Sequence, residues 1–153
     1  MKNLIYLLLV IAMMVVGAVV HAQPNKMPRI GFVTAGSRST IAARIEAFQQ
    51  GLRDLGYVEK KNIAIESRYA QGKPDRIPEL VADLVRLNVD VILSAGAAVT
   101  GPAKNATKII PIVMAQDTDP VGNGFVASLA RPGGNITGLS SYSRSSTVNE
   151  WSF

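Results

Sequence analysis

Cysteine is absent from all 153 residues, which rules out disulfides, a thiolate nucleophile and any cysteine-based metal site. The same absence removes the N-terminal cysteine on which a lipoprotein anchor depends. Histidine is almost as scarce. The single one, His21, falls within the first 22 residues, so the rest of the chain has no Ser-His-Asp chemistry, no histidine metal ligand and no imidazole switch. Long basic runs are missing too. No stretch of Lys or Arg exceeds two residues; the 16 basic side chains become 15 once Lys2 is set aside, against 11 acidic ones, a scattered +4. A surface that tracks phosphates needs clustered charge, so nucleic acid is excluded as the expected partner.

What is present begins with an export signal. Lys2 precedes an apolar run from Leu4 to Val20, interrupted only by Tyr6 and Gly17, and Val20-His21-Ala22 has the small residues of a cleavage site before Gln23. The run is long enough for an uncleaved membrane anchor. The cleavage pattern and the single flanking lysine instead fit a signal peptide over residues 1–22, with a mature protein that is periplasmic or secreted. About 130 residues then remain, enough for one compact domain with its own core.

Along the mature chain two kinds of segment alternate. Arg29 to Thr34 is a short apolar run ending in a Gly/Ser turn, the pattern of a buried strand. Ile41, Ile45, Phe48, Leu52 and Leu55 step by helical spacing, with Ser39 or Thr40 as cap and Gly56 as stop. Ile63, Ile65, Ser67 and Tyr69 alternate with polar neighbours like a strand near an edge. Asp75 is expected to cap a helix with Pro78 in its first turn and Ile77, Leu80, Val81, Leu84 and Val85 on its buried face. The pattern repeats: a strand at Val89 to Ser94, a helix at Gly96 to Thr107 broken by Pro102, a strand at Ile110 to Ala115, a short helix at Val121 to Leu129, and a strand at Asn135 to Leu139. Such alternation predicts an α/β fold, a doubly wound parallel sheet with helices on both faces.

Ligands of such sheets bind beyond the carboxyl ends of the strands. Three loops qualify. Ala35 to Thr40 offers the hydroxyls of Ser37, Ser39 and Thr40 at a helix start, suited to a carboxylate. Ser94 to Ala98 brings Ser94, Gly96 and Ala97, small residues that let a ligand approach the backbone. Gln116 to Pro120 places Asp117 and Asp119 at the end of the fourth strand, suited to an ammonium group. Together they suit a zwitterion. Each has a structural alternative: capping for Ser37 and Ser39, close strand–helix packing after Ser94, and turn initiation for Asp119 before Pro120. Two carboxylates with no histidine or metal ligand beside them are a poor acid–base pair, and no cofactor or metal is expected. The GxxxxG spacing from Gly31 lacks the Lys-Ser/Thr of a phosphate loop, and Gly122-Asn123-Gly124 is a turn.

Three blocks carry a resemblance: PRIGFVTAGS from Pro28, the stretch from Glu46 to Gly96, and ATKIIPIVMAQDTDPVGNGFVASLARPGGNITGLSS to Ser141. The DPVGxGxVxSLxxPGGNxTG string is the most specific. The chain resembles the first lobe of the bacterial ABC-transporter substrate-binding family related to tryptophan- and tyrosine-binding uptake proteins. That resemblance implies a type I periplasmic-binding-protein fold. Its two lobes close on a small ligand, with an amino acid expected, and deliver it to a membrane permease driven by a cytoplasmic ATPase. By position, Ser37, Ser94, Gly96, Asp117 and Asp119 fall on the family's cleft-facing loops. Ala97 stands where relatives often carry threonine, and Lys60 replaces a common turn glycine, a change expected to be harmless at a surface.

The resemblance covers residues 23–141 as a first lobe and stops there. Residues 142–153 form an aberrant tail. Relatives continue with a segment like PELNGKRMEL, and the tail Arg144 to Phe153 can be encoded by DNA whose neighbouring frame spells those ten residues. The expectation is a frameshifted, truncated lobe with impaired binding. An exported α/β enzyme and a single-lobe sensory or interaction module are the alternative readings. The enzyme reading requires a nucleophile or metal constellation that the composition does not supply.

Overall fold

The computed structural model describes residues 26–141; the expected signal peptide and the tail 142–153 lie outside the described residues. Five strands make one sheet: β1 (Arg29–Thr34), β2 (Ala64–Tyr69), β3 (Val91–Ala95), β4 (Ile112–Asp117) and β5 (Ile136–Ser140). Their order is β2-β1-β3-β4-β5 and every pairing is parallel. Three helices cross between them: α1 (Ala42–Asp54), α2 (Ile77–Arg86) and α3 (Ala97–Ala106). The alternation therefore gives the expected doubly wound α/β sheet. β1 has its successors on opposite sides, so the order reverses between β1 and β3.

Alternation along the strands sorts the two faces. Val33, Ile92, Ile112, Met114 and Ile136 join Ile77, Leu80, Val81 and Leu84 of α2 and Val99 and Ala103 of α3 in one buried cluster. The α2 face is the one its periodicity marked, with Val85 at the margin. The other face carries Phe32, Leu93, Val113 and Leu139, and α1 lies over it. Its stripe residues Ile45 and Phe48 share the lining of a small cavity with Phe32, Ile65 and Tyr69. α1 covers only the β1–β2 side, so none of its residues is fully buried and Leu55 is 75% exposed. Leu93, Val113 and Leu139 are left flooring an open groove.

Several sequence expectations are corrected. No helix forms over Val121 to Leu129; residues 120–124 are turn, because the Asp119 carboxylate takes the Gly122 N–H and Pro120 O takes those of Phe125 and Val126. Two glycines in three residues further weaken any helix there. Neither Ser39 nor Thr40 caps α1, nor does Asp75 cap α2; short 3₁₀ turns, Ser39–Ile41 and Pro74–Arg76, lead into both helices instead. α3 runs through Pro102 without a break. Lys60 sits at φ 65°, the left-handed region that costs a side chain-bearing residue roughly 1–2 kcal/mol. Glycine at that turn is therefore not an idle preference.

At the opposite end of the sheet from the strand tips, Asp90 ties β3 to the start of β1. Its carboxylate accepts the Arg29 N–H at 2.7 Å and faces the Lys26 ammonium at 3.3 Å. The backbone hydrogen bond from Arg29, more than the Lys26 charge, lowers its pKa below the ordinary carboxylate value. A group stabilised in its charged form adds stability above the unfolded-state pKa and loses it as pH falls through the folded value. The pair is about half exposed, so the gain is under about 1 kcal/mol and is screened by salt. Asp90→Asn is expected to be slightly less stable than the parent at pH 7, with the gap closing as pH falls below the ordinary carboxylate range. Urea melts at neutral and at strongly acidic pH check this.

Candidate functional site

The strand tips were expected to hold the site, and the fold assembles them around the β1–β3 reversal. The groove beside α1 has a volume of about 700 Å³ and rises from the apolar sheet face to the tips of β1, β3 and β4. Thr34, Gly96, Ala97, Gln116, Asp117 and Thr118 line its upper end. Of the residues expected from sequence it thus brings together Gly96, Ala97 and Asp117. Gln116, Thr118 and Thr34 were missed. The strand run was taken to end at Ala115, so Gln116 and Asp117 were placed in a loop when they belong to β4.

Gly96 is the hinge of this arrangement. It sits at φ 106°, ψ 160°, a region open essentially to glycine alone. That turn lets the chain leave β3 and enter α3 in one step. Thr100 donates to Gly96 O at 3.2 Å and shares a 2.9 Å hydrogen bond with the fully buried Ser94 hydroxyl. Ser94 thereby braces the turn from below and does not face the groove. No side chain caps α3, so its first N–H groups stand at the groove's upper end, where backbone dipoles favour an anion. The hydroxyl that a threonine at position 97 would add is absent, leaving that anion position to the backbone.

The hydroxyls of the first loop bond chiefly to one another. Ser37 Oγ lies 2.9 Å from Ser39 Oγ, Ser37 N donates to Thr40 Oγ1, and Thr40 Oγ1 donates to Ser37 O. Ser39 and Thr40 are exposed, Ser37 is half-buried, and none of the three lines the groove.

The two carboxylates differ sharply. Asp119 is exposed and its Oδ1 holds the Gly122 N–H at 2.8 Å, the turn-initiating role its sequence context allows. Asp117 is 2% exposed. Its Oδ1 accepts from Asp119 N at 3.0 Å and from Asn123 Nδ2 at 3.1 Å, while Oδ2 is buried and has no hydrogen-bond partner among the described residues.

A sequence profile of the family described as ABC transporter substrate binding protein matches residues 30–149. A tyrosine-binding protein of Clostridioides difficile (strain R20291) is 34% identical over 118 residues, 77% of this chain and 34% of that protein. Two solved structures share the fold. One, a conserved domain protein from Vibrio cholerae O1 biovar eltor, superposes with a TM-score of 0.71 at 33% identity, over 75% of this chain and 39% of its own. The other, an ABC domain from Streptococcus pneumonia in complex with L-Trp, gives 0.69 at 28% identity, over 74% and 38%. The chain thus spans between a third and two-fifths of the length of each.

Proposed function

Because the chain belongs to the ABC transporter substrate binding protein family, we propose that it contributes one wall of a binding site for an amino acid in an exported uptake system. The observation that carries this reading is the pairing, on one groove, of an uncapped helix start with a buried carboxylate that lacks a cation. The first suits a ligand carboxylate and the second its ammonium group. The apolar slope toward Phe32, Leu93 and Val113 suits a large side chain. The L-Trp complex and the tyrosine-binding relative support an aromatic amino acid.

The reading involves binding without covalent chemistry. A second lobe supplies the opposing wall, hinge closure encloses the ligand, and a membrane permease receives it on the outer side of the membrane. Ser37, Ser39 and Thr40 are assigned to the rim that meets the second lobe, Gly96 and Ala97 to the ligand carboxylate, Asp117 and Asp119 to the ammonium side, and Ser94 to support of the Gly96 turn.

An amide-resolved titration of ¹⁵N-labelled protein with L-tryptophan tests the site. The expected shifts fall on Gly96, Ala97, Ala98 and Thr118, with none at Asn88 to Asp90 at the opposite end of the strands. Shifts centred away from the strand tips would overturn the assignment.

A further inference from the structure

The end of the sheet away from the strand tips is built from the segments that lead into the strands: residues 26–28 before β1, 55–63 before β2, 87–90 before β3 and 107–111 before β4. Hydrogen bonds from Ala64 N to Pro28 O and from Asp90 N to Arg29 O hold neighbouring segments side by side. Together they span three strand spacings, about 14 Å. Five of the eight large hydrophobic side chains exposed among the described residues stand here: Met27, Leu55, Tyr57, Val58 and Ile109. Leu55 and Ile109 are the most exposed of the eight, at 75% and 88%. Scattered apolar residues on a surface need no explanation; five gathered on one end of a domain do.

Charge sorts the same way. Counting Arg29, these segments carry Lys26, Arg29, Lys60, Lys61 and Lys108 against Glu59 and Asp90. Asp90 is paired with Lys26, and Glu59 accepts a hydrogen bond from Gln49. Lys60 and Lys61 are exposed and form no ion pair among the described residues. Lys60 also holds its left-handed φ of 65°, which glycine would adopt without strain. A lysine kept in that turn at a conformational cost points to a role outside folding.

Apolar tips among free lysines are the composition of a surface that rests on an anionic bilayer. The tips enter the headgroup boundary and the ammonium groups meet lipid phosphates. A second copy docked here would set these lysines against their own kind, which disfavours self-association. The point of chain entry agrees. The apolar run Leu4 to Val20 joins the domain at Lys26, six residues on, a span of at most about 22 Å. This end is therefore the closest to any bilayer in which that run sits.

We propose that this end of the domain docks on an anionic phospholipid surface, with Leu55 and Ile109 entering the headgroup boundary and Lys60 and Lys61 on the phosphates. The strand tips and their groove then point away from the bilayer. The inference is independent of what the groove binds.

The test uses residues 23–153, which keep the whole buried cluster and omit the apolar run, with vesicles of phosphatidylcholine alone or mixed with phosphatidylglycerol. Cosedimentation is expected with the mixed vesicles, weakening as salt rises, and little with phosphatidylcholine alone. Lys60→Ala combined with Lys61→Ala weakens partition roughly 30-fold, about fivefold for each lysine. Ile109→Ser weakens it roughly 10-fold. Lys73→Ala combined with Arg76→Ala removes the same charge from the exposed strand-tip end and changes partition by less than about twofold. Lys60→Gly separates docking from folding: it binds roughly fivefold more weakly yet melts at a higher temperature. Because the chain has no cysteine, an environment-sensitive fluorophore on Ile109→Cys reports entry directly; its emission moves to the blue on mixed vesicles, and the same label on Lys73→Cys does not respond. Absent binding, equal binding to both vesicle types, or equal losses in the two double variants overturns the proposal. A dimer that Leu55→Ser dissolves would also overturn it, since a second copy would then cover this end.

Discussion

Gly138→Ala is expected to lose about 4 kcal/mol of stability, in the range reserved for backbone strain and severe overlap. For a domain of this size that is a fall in melting temperature of roughly 15–25 °C. Two independent causes act at one position. Gly138 holds φ 141°, where a side chain is strained, and an added Cβ would sit inside the Met114 backbone, 2.8 Å from its carbonyl carbon. A flexible side chain could swing aside, but the obstacle is the neighbouring strand itself. Relief requires β5 to separate from β4, which breaks the pairing that aligns Asp117 with Ser140. Gly134→Ala is the control, since its added Cβ meets nothing within 4 Å; a change within about 0.5 kcal/mol is expected there. Thermal melts of the two variants side by side check the contrast, and equal melting temperatures would show that the close approach at Gly138 is not a constraint.

That position also marks where reading the sequence succeeded and where it stopped. The limits of β1 were legible to the residue because a buried parallel strand is a short apolar run with a Gly/Ser turn behind it. The face of α2 was legible because helical spacing over ten residues leaves little ambiguity. β4 was displaced by two residues for a definite reason. Its polar end, Gln116-Asp117, is held by pairing with β5 and by the bulge at Ala115, and a bulge is a relation between two strands that neither spells alone. The stretch from Val121 to Leu129 has apolar residues at helical intervals, but the Asp119 carboxylate and the Pro120 carbonyl satisfy the amides a helix would need. The same physics limited the site. Sequence identified all three strand-end loops, yet gave no means to tell a hydroxyl offered to a ligand from one already engaged. Ser94 turned inward to Thr100, and the Ser37–Thr40 hydroxyls turned to each other.

A polypeptide carrying residues 26–141 without a second lobe is expected to bind L-tryptophan with a Kd near 1 mM or weaker, about −4.1 kcal/mol. Enclosed pockets bury 70–90% of a ligand of this size or more. The strand tips and the apolar slope form one wall, open toward solvent on the side of exposed Ala97, Gln116 and Thr118. Ligand resting on one wall keeps much of its apolar surface in water, yet it still loses translational and rotational freedom on binding. Its ion pair with Asp117 also stays partly hydrated, and the effective dielectric around it remains high. A gain of even 4 kcal/mol on enclosure, from burial of the second ring face and drying of the ion pair, is a thousandfold and would bring the affinity to micromolar. The mapping titration described above measures the single-wall value directly, since millimolar binding is in fast exchange and yields Kd from shift against concentration. Saturation at micromolar L-tryptophan would mean that the groove already encloses its ligand, with α1 rather than a second lobe acting as the opposing surface. Arg44 and Phe48 on α1 line that groove opposite Val113 and Leu139, so Phe48→Ala separates the two cases: it abolishes tight binding if α1 is the lid and leaves a millimolar Kd unchanged if it is not.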